Sequence, residues 1–375
     1  MAGIYIHIPF CRQACHYCDF HFSTNLSRES EIVQAICHEI DDRSDYVNER
    51  IETIYFGGGT PSILSANCLN EILAAIKKSF EVSSSAEITL EANPEDLDKA
   101  KLRELRLSGV NRLSIGFQTF SDAKLKWMNR IHSSEEALKS FHNARESGFD
   151  NISVDLIYAL PDHGLDAWMK DLQLAASFNP EHISIYGLTI EERTVFGKRK
   201  ISGLLIEEPE EMAAEQYLQT IEVLEANGYK QYEVSNFAKP GFESKHNSSY
   251  WAGDKYLGVG PGAHSFDGRS RQFNVRNNAK YLKAISANSS YHESEELSKS
   301  QIANERILTR LRTSSGIDLE KFKSDFELNL LAEHQELIEQ LRKQNFLKIK
   351  EQNLFLTSTG FLVADEIALK LFFDE

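Results

Sequence analysis

Two spacings of apolar residues alternate along the first 230 positions. Short runs rich in Ile, Val, Leu, Tyr or Phe fall at residues 3–8, 53–56, 87–91, 112–116, 152–158 and 182–188, and each reads as a β-strand. Their largely apolar character suggests burial on both faces, as in parallel sheets covered by helices. Between them the period lengthens towards 3.6. Ile32, Ile36 and Ile40 share one helical face, and Leu69, Ile72, Leu73 and Ile76 share another. Leu138, Phe141 and Ala144 form a stripe that Gly148 stops, and Trp168, Leu172 and Ala175 form the next. A longer helix is expected over residues 209–226, ended by Asn227-Gly228. Six strand–helix alternations call for a parallel sheet with right-handed crossovers. Six units are too few for a closed eight-stranded barrel. The expectation for residues 1–230 is therefore an α/β fold, an open or partial (β/α)6 barrel.

Residues 231–295 are rich in Asn, Gly and aromatics. They include Tyr232-Glu233-Val234-Ser235-Asn236-Phe237, His246-Asn247-Ser248-Ser249-Tyr250-Trp251 and Gly258-Val259-Gly260-Pro261-Gly262-Ala263-His264. They read as a connecting segment of short strands and functional loops. Residues 286–300, rich in Ser and Glu, read as a linker. Over 296–375 helices dominate, notably the stripe Leu331, His334, Leu337, Ile338 and Leu341. Strands at 346–349 and 354–356 and a last helix from about Gly360 complete a small α+β domain of winged-helix type. Its segments mix charge signs without a basic recognition helix, so it reads as a lid or partner surface rather than a DNA reader.

Composition narrows the class. With 375 residues and 41% hydrophobic content the chain can bury a sizeable core. Apolar runs such as 72–76 and 156–160 fall far short of the roughly 20 residues that cross a membrane. The opening Met-Ala-Gly-Ile-Tyr-Ile-His-Ile-Pro has no basic stretch of the secretory kind, so a cytoplasmic location is expected. A net charge of −15 repels phosphate backbones and argues against nucleic acid as the main partner. Of five cysteines, three fall within eight residues and Cys37 and Cys68 stand apart. An odd count argues against a disulfide framework.

The three clustered residues, Cys11-x-x-x-Cys15-x-x-Cys18, follow the first strand directly. Thiolates are soft ligands suited to iron–sulfur clusters. Three on one short loop hold three corners of a cubane and leave the fourth iron open to a ligand. The rival reading is a zinc-stabilised binding module, its site completed by His7, His16 or His21. Further polar signals follow the later strands: Gly57-Gly58-Gly59-Thr60-Pro61, Glu91-Ala92-Asn93-Pro94, and Gly116-Phe117-Gln118-Thr119-Phe120 with Arg130 beyond. Asp155 lies within the fifth strand. Glycines let backbone approach a ligand, a carboxylate binds hydroxyls or an ammonium, and a guanidinium clamps a carboxylate. Each has a plain structural alternative: a tight turn, a helix cap by Asn93, a surface arginine, a salt bridge at Asp155. Their shared place at or near strand carboxyl ends is what groups them.

This arrangement resembles the radical SAM superfamily. There a [4Fe-4S] cluster chelates S-adenosylmethionine at its open iron, and cluster reduction cleaves the cofactor to a 5′-deoxyadenosyl radical. Over the whole chain the resemblance is to oxygen-independent coproporphyrinogen III oxidases and their haem-chaperone relatives. Residues 5–11, 57–62, 91–94, 111–120, 155–161 and 186–189 carry it. It implies Cys11, Cys15 and Cys18 as cluster ligands. It implies Tyr5, Tyr17, Gly58, Gly59, Thr60, Glu91, Gln118, Arg130, Asp155 and Thr189 as S-adenosylmethionine contacts.

Phe20 stands where the oxidase branch has a further Cys, and Cys11 is close to the first residue, where the oxidases have a longer segment before the cluster loop. Both features look like the chaperone branch. His246-Asn247-x-x-Tyr250-Trp251 resembles that branch's haem-linked stretch, which makes His246 a haem candidate; a turn or buried hydrogen-bond pair remains its alternative. His264 is a second candidate. The implied function is binding haem and delivering it to an acceptor haemoprotein, with a respiratory enzyme as one candidate. A reductant for the cluster and a peripheral membrane contact are further expected partners. Oxidative decarboxylation of coproporphyrinogen propionates is the alternative.

Overall fold

The computed structural model describes residues 2–374. Six strands, β1 (Ala2–Ile8), β2 (Ile51–Gly58), β3 (Val82–Ala92), β4 (Arg112–Gln118), β5 (Ile152–Tyr158) and β6 (His182–Gly187), lie parallel in sequence order, each joined to the next through helix. All six expected strands are present.

Their side chains divide in a way the apolar runs did not suggest. The face with Ile4, Ile6, Ile54, Phe56, Ile88, Leu90, Leu113, Ile115, Val154, Leu156, Ile183 and Ile185 packs with the helices into one hydrophobic core. That core includes the expected stripes Ile32-Ile36-Ile40, Leu69-Ile72-Leu73-Ile76, Phe141-Ala144 and Trp168-Leu172-Ala175. Alternate residues point the other way and are mostly polar or aromatic: Tyr5 and His7, Thr53 and Tyr55, Thr89 and Glu91, Arg112 and Ser114, Ser153 and Asp155, His182 and Ser184. The strands are covered on both faces, but one face is a polar lumen. The sheet curls around it, so that Tyr186 on β6 faces Tyr55 on β2 and Glu91 on β3.

Residues 231–295 extend the same sheet at both edges. β7 (Lys230–Glu233) and β8 (Asn236–Ala238) lie beyond β6. β9 (Lys255–Val259) pairs in parallel with β1 and is followed by β10 (His264–Phe266), β11 (Ser270–Asn274) and β12 (His292–Glu296). The full order is β12-β11-β10-β9-β1-β2-β3-β4-β5-β6-β8-β7, an open sheet of twelve strands. Residues 286–300 are therefore not a linker throughout, since β12 pairs antiparallel with β11. As an edge strand that is largely exposed, β12 carries no apolar alternation to betray it.

The C-terminal part forms a second, three-stranded sheet. β13 (Ile317–Asp318), β14 (Leu347–Lys350) and β15 (Asn353–Leu356) stand in the order β13-β15-β14, with helices Lys299–Leu311, Leu319–Phe326, Gln335–Lys343 and Ala364–Lys370. It docks on the main sheet through Val234 N–H to Arg312 O at 2.8 Å. No helix among the described residues is long and apolar enough to cross a membrane.

Candidate functional site

The loop after β1 is closed at its neck by Cys11 N–H to Ser23 O (3.1 Å) and Ser23 N–H to Pro9 O (2.9 Å). It rests on the glycine turn after β2: Gly59 N–H donates to Ile8 O at 2.8 Å and Thr60 N–H to Phe10 O at 2.7 Å. A Cβ on Gly59 would collide with the carbonyls of Phe10 and Ile8, and one on Gly58 (φ +105°) would stand 2.7 Å from the His7 ring. Gly59 is thus required by close backbone approach and Gly58 by its positive φ and the His7 ring, while a Cβ on Gly57 would stand 2.9 Å from the Tyr55 ring.

All three thiols are half-buried. Burial pushes Cys11 up to about 12 and Cys18 up to about 11, and the other thiols in the loop push the same way. Thr60 Oγ1 donates to the Cys11 sulfur at 3.4 Å and Arg130 Nη1 to that of Cys15 at 3.6 Å. Three thiols on one short loop, two of them with a hydrogen-bond donor aimed at sulfur, suit the ligand set of an iron–sulfur cubane, whose positive core would offset their repulsion and whose potential such donors would tune. Among the described residues no three of His, Cys, Asp or Glu form a group that could hold a single metal ion. The histidines weighed for a zinc site join no metal-holding group with the cysteines among the described residues. His7 Nε2–H donates to His21 O (2.8 Å), His16 Nδ1–H to Trp127 O (2.9 Å), and His21 Nε2 pairs with Asn278 Oδ1 (2.7 Å).

Arg130 ties the loop to two further strand ends, its Nη2 donating to Asn93 Oδ1 (2.8 Å) and Gly116 O (2.9 Å). Asn93 Nδ2 donates in turn to Thr60 Oγ1 at 3.3 Å. Asn93 makes no side-chain cap, which settles its alternative reading. Gln118 ends β4 at a bulge with φ +68°, a strained left-handed conformation that lays its amide over Gly116, beside Arg130 and Asn93. Tyr17 packs on an apolar cluster of Leu125, Met128, Ile157, Leu160, Phe196 and Leu205 and faces Cys15 and Arg130.

Deeper in the lumen, the Glu91 carboxylate accepts from Tyr55 OH (2.8 Å) and Gly58 N–H (3.2 Å). Burial, aided by the charge of Asp155, pushes Glu91 up to about 7. Asp155 is also raised by burial; Ser114 and Ser153 hydroxyls donate to it at 3.0 to 3.2 Å, in place of the salt bridge weighed for it. Tyr5 stacks on Tyr55, and its hydroxyl donates to His7 Nδ1 at 3.2 Å. Thr189 lies exposed just past β6. The structure thus gathers the cysteines, the glycine turn, Gln118, Arg130 and Tyr17 around one end of the lumen, with Glu91, Asp155 and Tyr5 deeper inside it.

The two haem candidates sit elsewhere, beside opposite ends of β1. His246 belongs to helix Lys245–Ala252, which plugs the amino-terminal end of the lumen. Its backbone N–H and that of Lys245 donate to the Glu87 carboxylate, both at 3.2 Å. Its ring is 1% exposed, pairs with Thr53 Oγ1 (2.8 Å) and Tyr250 OH (2.9 Å), and stacks on Tyr55. The buried hydrogen-bonded alternative describes His246 in this conformation; binding iron there requires breaking one of those bonds. Burial lowers its pKa to about 3. His264 is exposed on β10.

Sequence reasoning did not single out His7 as the loop's anchor, Asn93 as the bridge, or Arg112. The available signals were His7 two residues after Tyr5 on one strand face, and a charged residue opening an otherwise apolar strand.

Residues 5–175 match the radical SAM superfamily model and residues 297–363 the HemN C-terminal domain model. The chain is 38% identical over 371 residues to the haem chaperone HemW of Lactococcus lactis subsp. lactis, covering 99% of this chain and 97% of that one. It is 36% identical to the Bacillus subtilis haem chaperone HemW, covering 98% of each. Its fold superposes on coproporphyrinogen III oxidase (HemN) of Escherichia coli with a TM-score of 0.85 at 22% identity, over 99% of this chain and 89% of that one. The chain belongs to the radical SAM superfamily, within the HemN-like family that includes the haem chaperone HemW.

Proposed function

We propose that this protein is a cytoplasmic haem chaperone that passes haem to an acceptor haemoprotein. A [4Fe-4S] cluster on Cys11, Cys15 and Cys18, when bound, would supply an open iron and electrons to S-adenosylmethionine. This chain's part is to hold that cofactor: Arg130 and Gln118 lie at the rim, Glu91 and Asp155 below it, Tyr5 and Tyr17 along its sides. The Lactococcus lactis and Bacillus subtilis haem chaperones, matched over nearly their whole length, support the haem cargo.

The observation that carries the haem reading is a groove between the sheet and the C-terminal part. His264 and Phe266 on β10 and Arg271 and Phe273 on β11 share one face, because cross-strand partners and alternate residues point together. That face continues into a cavity of about 210 Å³ lined by Tyr250, Trp251, Tyr256, Ile302 and Arg306 among others. Trp251 Nε1 and Arg271 Nε are buried there without hydrogen-bond partners among the described residues. Aromatic rings suit a porphyrin face and His264 offers an accessible imidazole. Arg271 pairs with Glu305 at 2.8 Å, so a propionate there would exchange with that carboxylate. The cavity is smaller than usual for a cofactor, so it takes an edge of the macrocycle.

Anaerobic reconstitution followed by haem titration, read in the Soret region, tests this. Wild type should retain haem, His264→Ala should lose the histidine-ligated spectrum, and His246→Ala should keep it. Wild-type protein that fails to retain haem sinks the chaperone reading. Formation of protoporphyrinogen under reducing conditions would favour the oxidase instead.

A further inference from the structure

Arg112 opens β4 and is 1% exposed, yet its guanidinium Nε is buried without a hydrogen-bond partner among the described residues. Directly across the ladder, the Thr89 hydroxyl is also buried without a partner. A desolvated charge without hydrogen bonds is costly and calls for opposite charge close by. The groups facing Arg112 are Tyr55 on β2, Glu91 on β3, Asp155 on β5, His182 on β6, Tyr232 on β7 and His246 on the plug helix. Burial keeps both histidines neutral, with Arg112 opposing their protonation further. The negative charge that answers Arg112 therefore comes from Glu91 and Asp155, which otherwise repel each other across the lumen.

We propose that Arg112 is a positioning residue for S-adenosylmethionine: without touching the cofactor, it offsets the charge of Glu91 and Asp155 from beneath and so lets both act as anionic receptors. The inference rests on reading the lumen as the cofactor site. The cofactor carries a sulfonium and an ammonium against one carboxylate, so its pocket needs net negative charge. Two uncompensated carboxylates in a desolvated lumen would instead hold a proton between them. Besides Arg112 and Asp155, Glu91 faces Tyr5, Tyr55, Tyr186 and Tyr250, none of which brings positive charge.

The test is calorimetric titration of anaerobically reconstituted protein with S-adenosylmethionine from pH 5.5 to 9. Wild-type affinity should weaken as pH falls through about 7, where Glu91 takes up its proton. In Arg112→Gln that midpoint should rise by about one unit, with affinity at pH 7 down about fivefold. Arg112→Lys should return both towards wild type. A purely structural Arg112 would lower affinity equally at every pH, and an unmoved midpoint in Arg112→Gln overturns the proposal. Should Arg112→Gln not fold, Arg112→Met is read in its place on the same criterion. Glu91→Gln guards the underlying reading: if it binds the cofactor as wild type does, the lumen is not the cofactor site, whatever Arg112 does.

Discussion

Arg130 donates from Nη1 to the sulfur of Cys15, 3.6 Å away, while its Nη2 holds Asn93 and the carbonyl of Gly116. One side chain thus joins the cysteine loop to the carboxyl ends of β3 and β4. Burial works against its charge, but Tyr17, Cys15 and Glu95 outweigh it and hold the guanidinium protonated. A planar fork makes all three contacts at once, and a lysine ammonium in the same place cannot.

Arg130→Lys is expected to bind S-adenosylmethionine at least about tenfold more weakly, as the loss of a charge-assisted bond worth about 1.5–3 kcal/mol implies. Iron and acid-labile sulfide should stay near wild type, because the three thiols remain. Calorimetry alongside iron analysis separates the two effects, and unchanged affinity would remove Arg130 from the cofactor site.

Gly59→Ala should fail earlier, at cluster assembly. Its methyl meets two backbone carbonyls that have no side chain to swing aside, so the glycine turn and the cysteine loop must separate. Overpacking of this kind costs about 1–3 kcal/mol. Iron per chain after reconstitution should fall well below wild type, with a lower melting temperature; full incorporation would show that the two loops move independently.

Glu39 is the buried anchor of the opposite edge. It accepts from Arg43, the Gly260 N–H, Tyr281 and Asn274, linking helix Glu29–Asp42 to the loop before His264. Glu39→Ala leaves Arg43 and three donors without that acceptor and should cost about 3–5 kcal/mol in urea unfolding. A cost below 1 kcal/mol would mean that water or a shifted Arg43 replaces the carboxylate.

Acid should loosen the lumen through its histidines. Folded His246 titrates at about 3 and His7 at about 4, burial being the main cause for both, against an ordinary value of 6.5. Their contribution is complete above 6.5 and is lost as pH falls, because the unfolded chain takes protons the folded one refuses. Each histidine should add about 1.4 kcal/mol per pH unit to the decline below 6.5. His246→Phe should be less stable at pH 7.5 yet show a shallower decline between pH 6.5 and 4. Parallel stability–pH curves for the two proteins would contradict this.

Much of the molecule could be read along the chain. The cysteine loop, the glycine turn and the six strands are local features, each set by neighbouring residues, and the helical stripes named their buried faces. Asn93, His7 and Arg112 were not legible in the same way. Asn93 joins residues 33 and 37 positions away, and its local context, before a proline, equally suits a helix cap. Arg112 sits in a strand whose apolar neighbours masked the polar lumen.

What the sequence by itself determined is the order of the six parallel strands with their helices and the gathering of three cysteines on one loop, because strand period, turn chemistry and cysteine spacing act over a few residues. Only the tertiary structure decided that alternate strand residues enclose a charged lumen, that His246 plugs one end of it while Arg130 closes round the other, and that His264 shares a face with Arg271. Those outcomes depend on the curl and register of twelve strands, which bring together side chains more than two hundred positions apart, as with Tyr5 and His246, and fix which of them lose water.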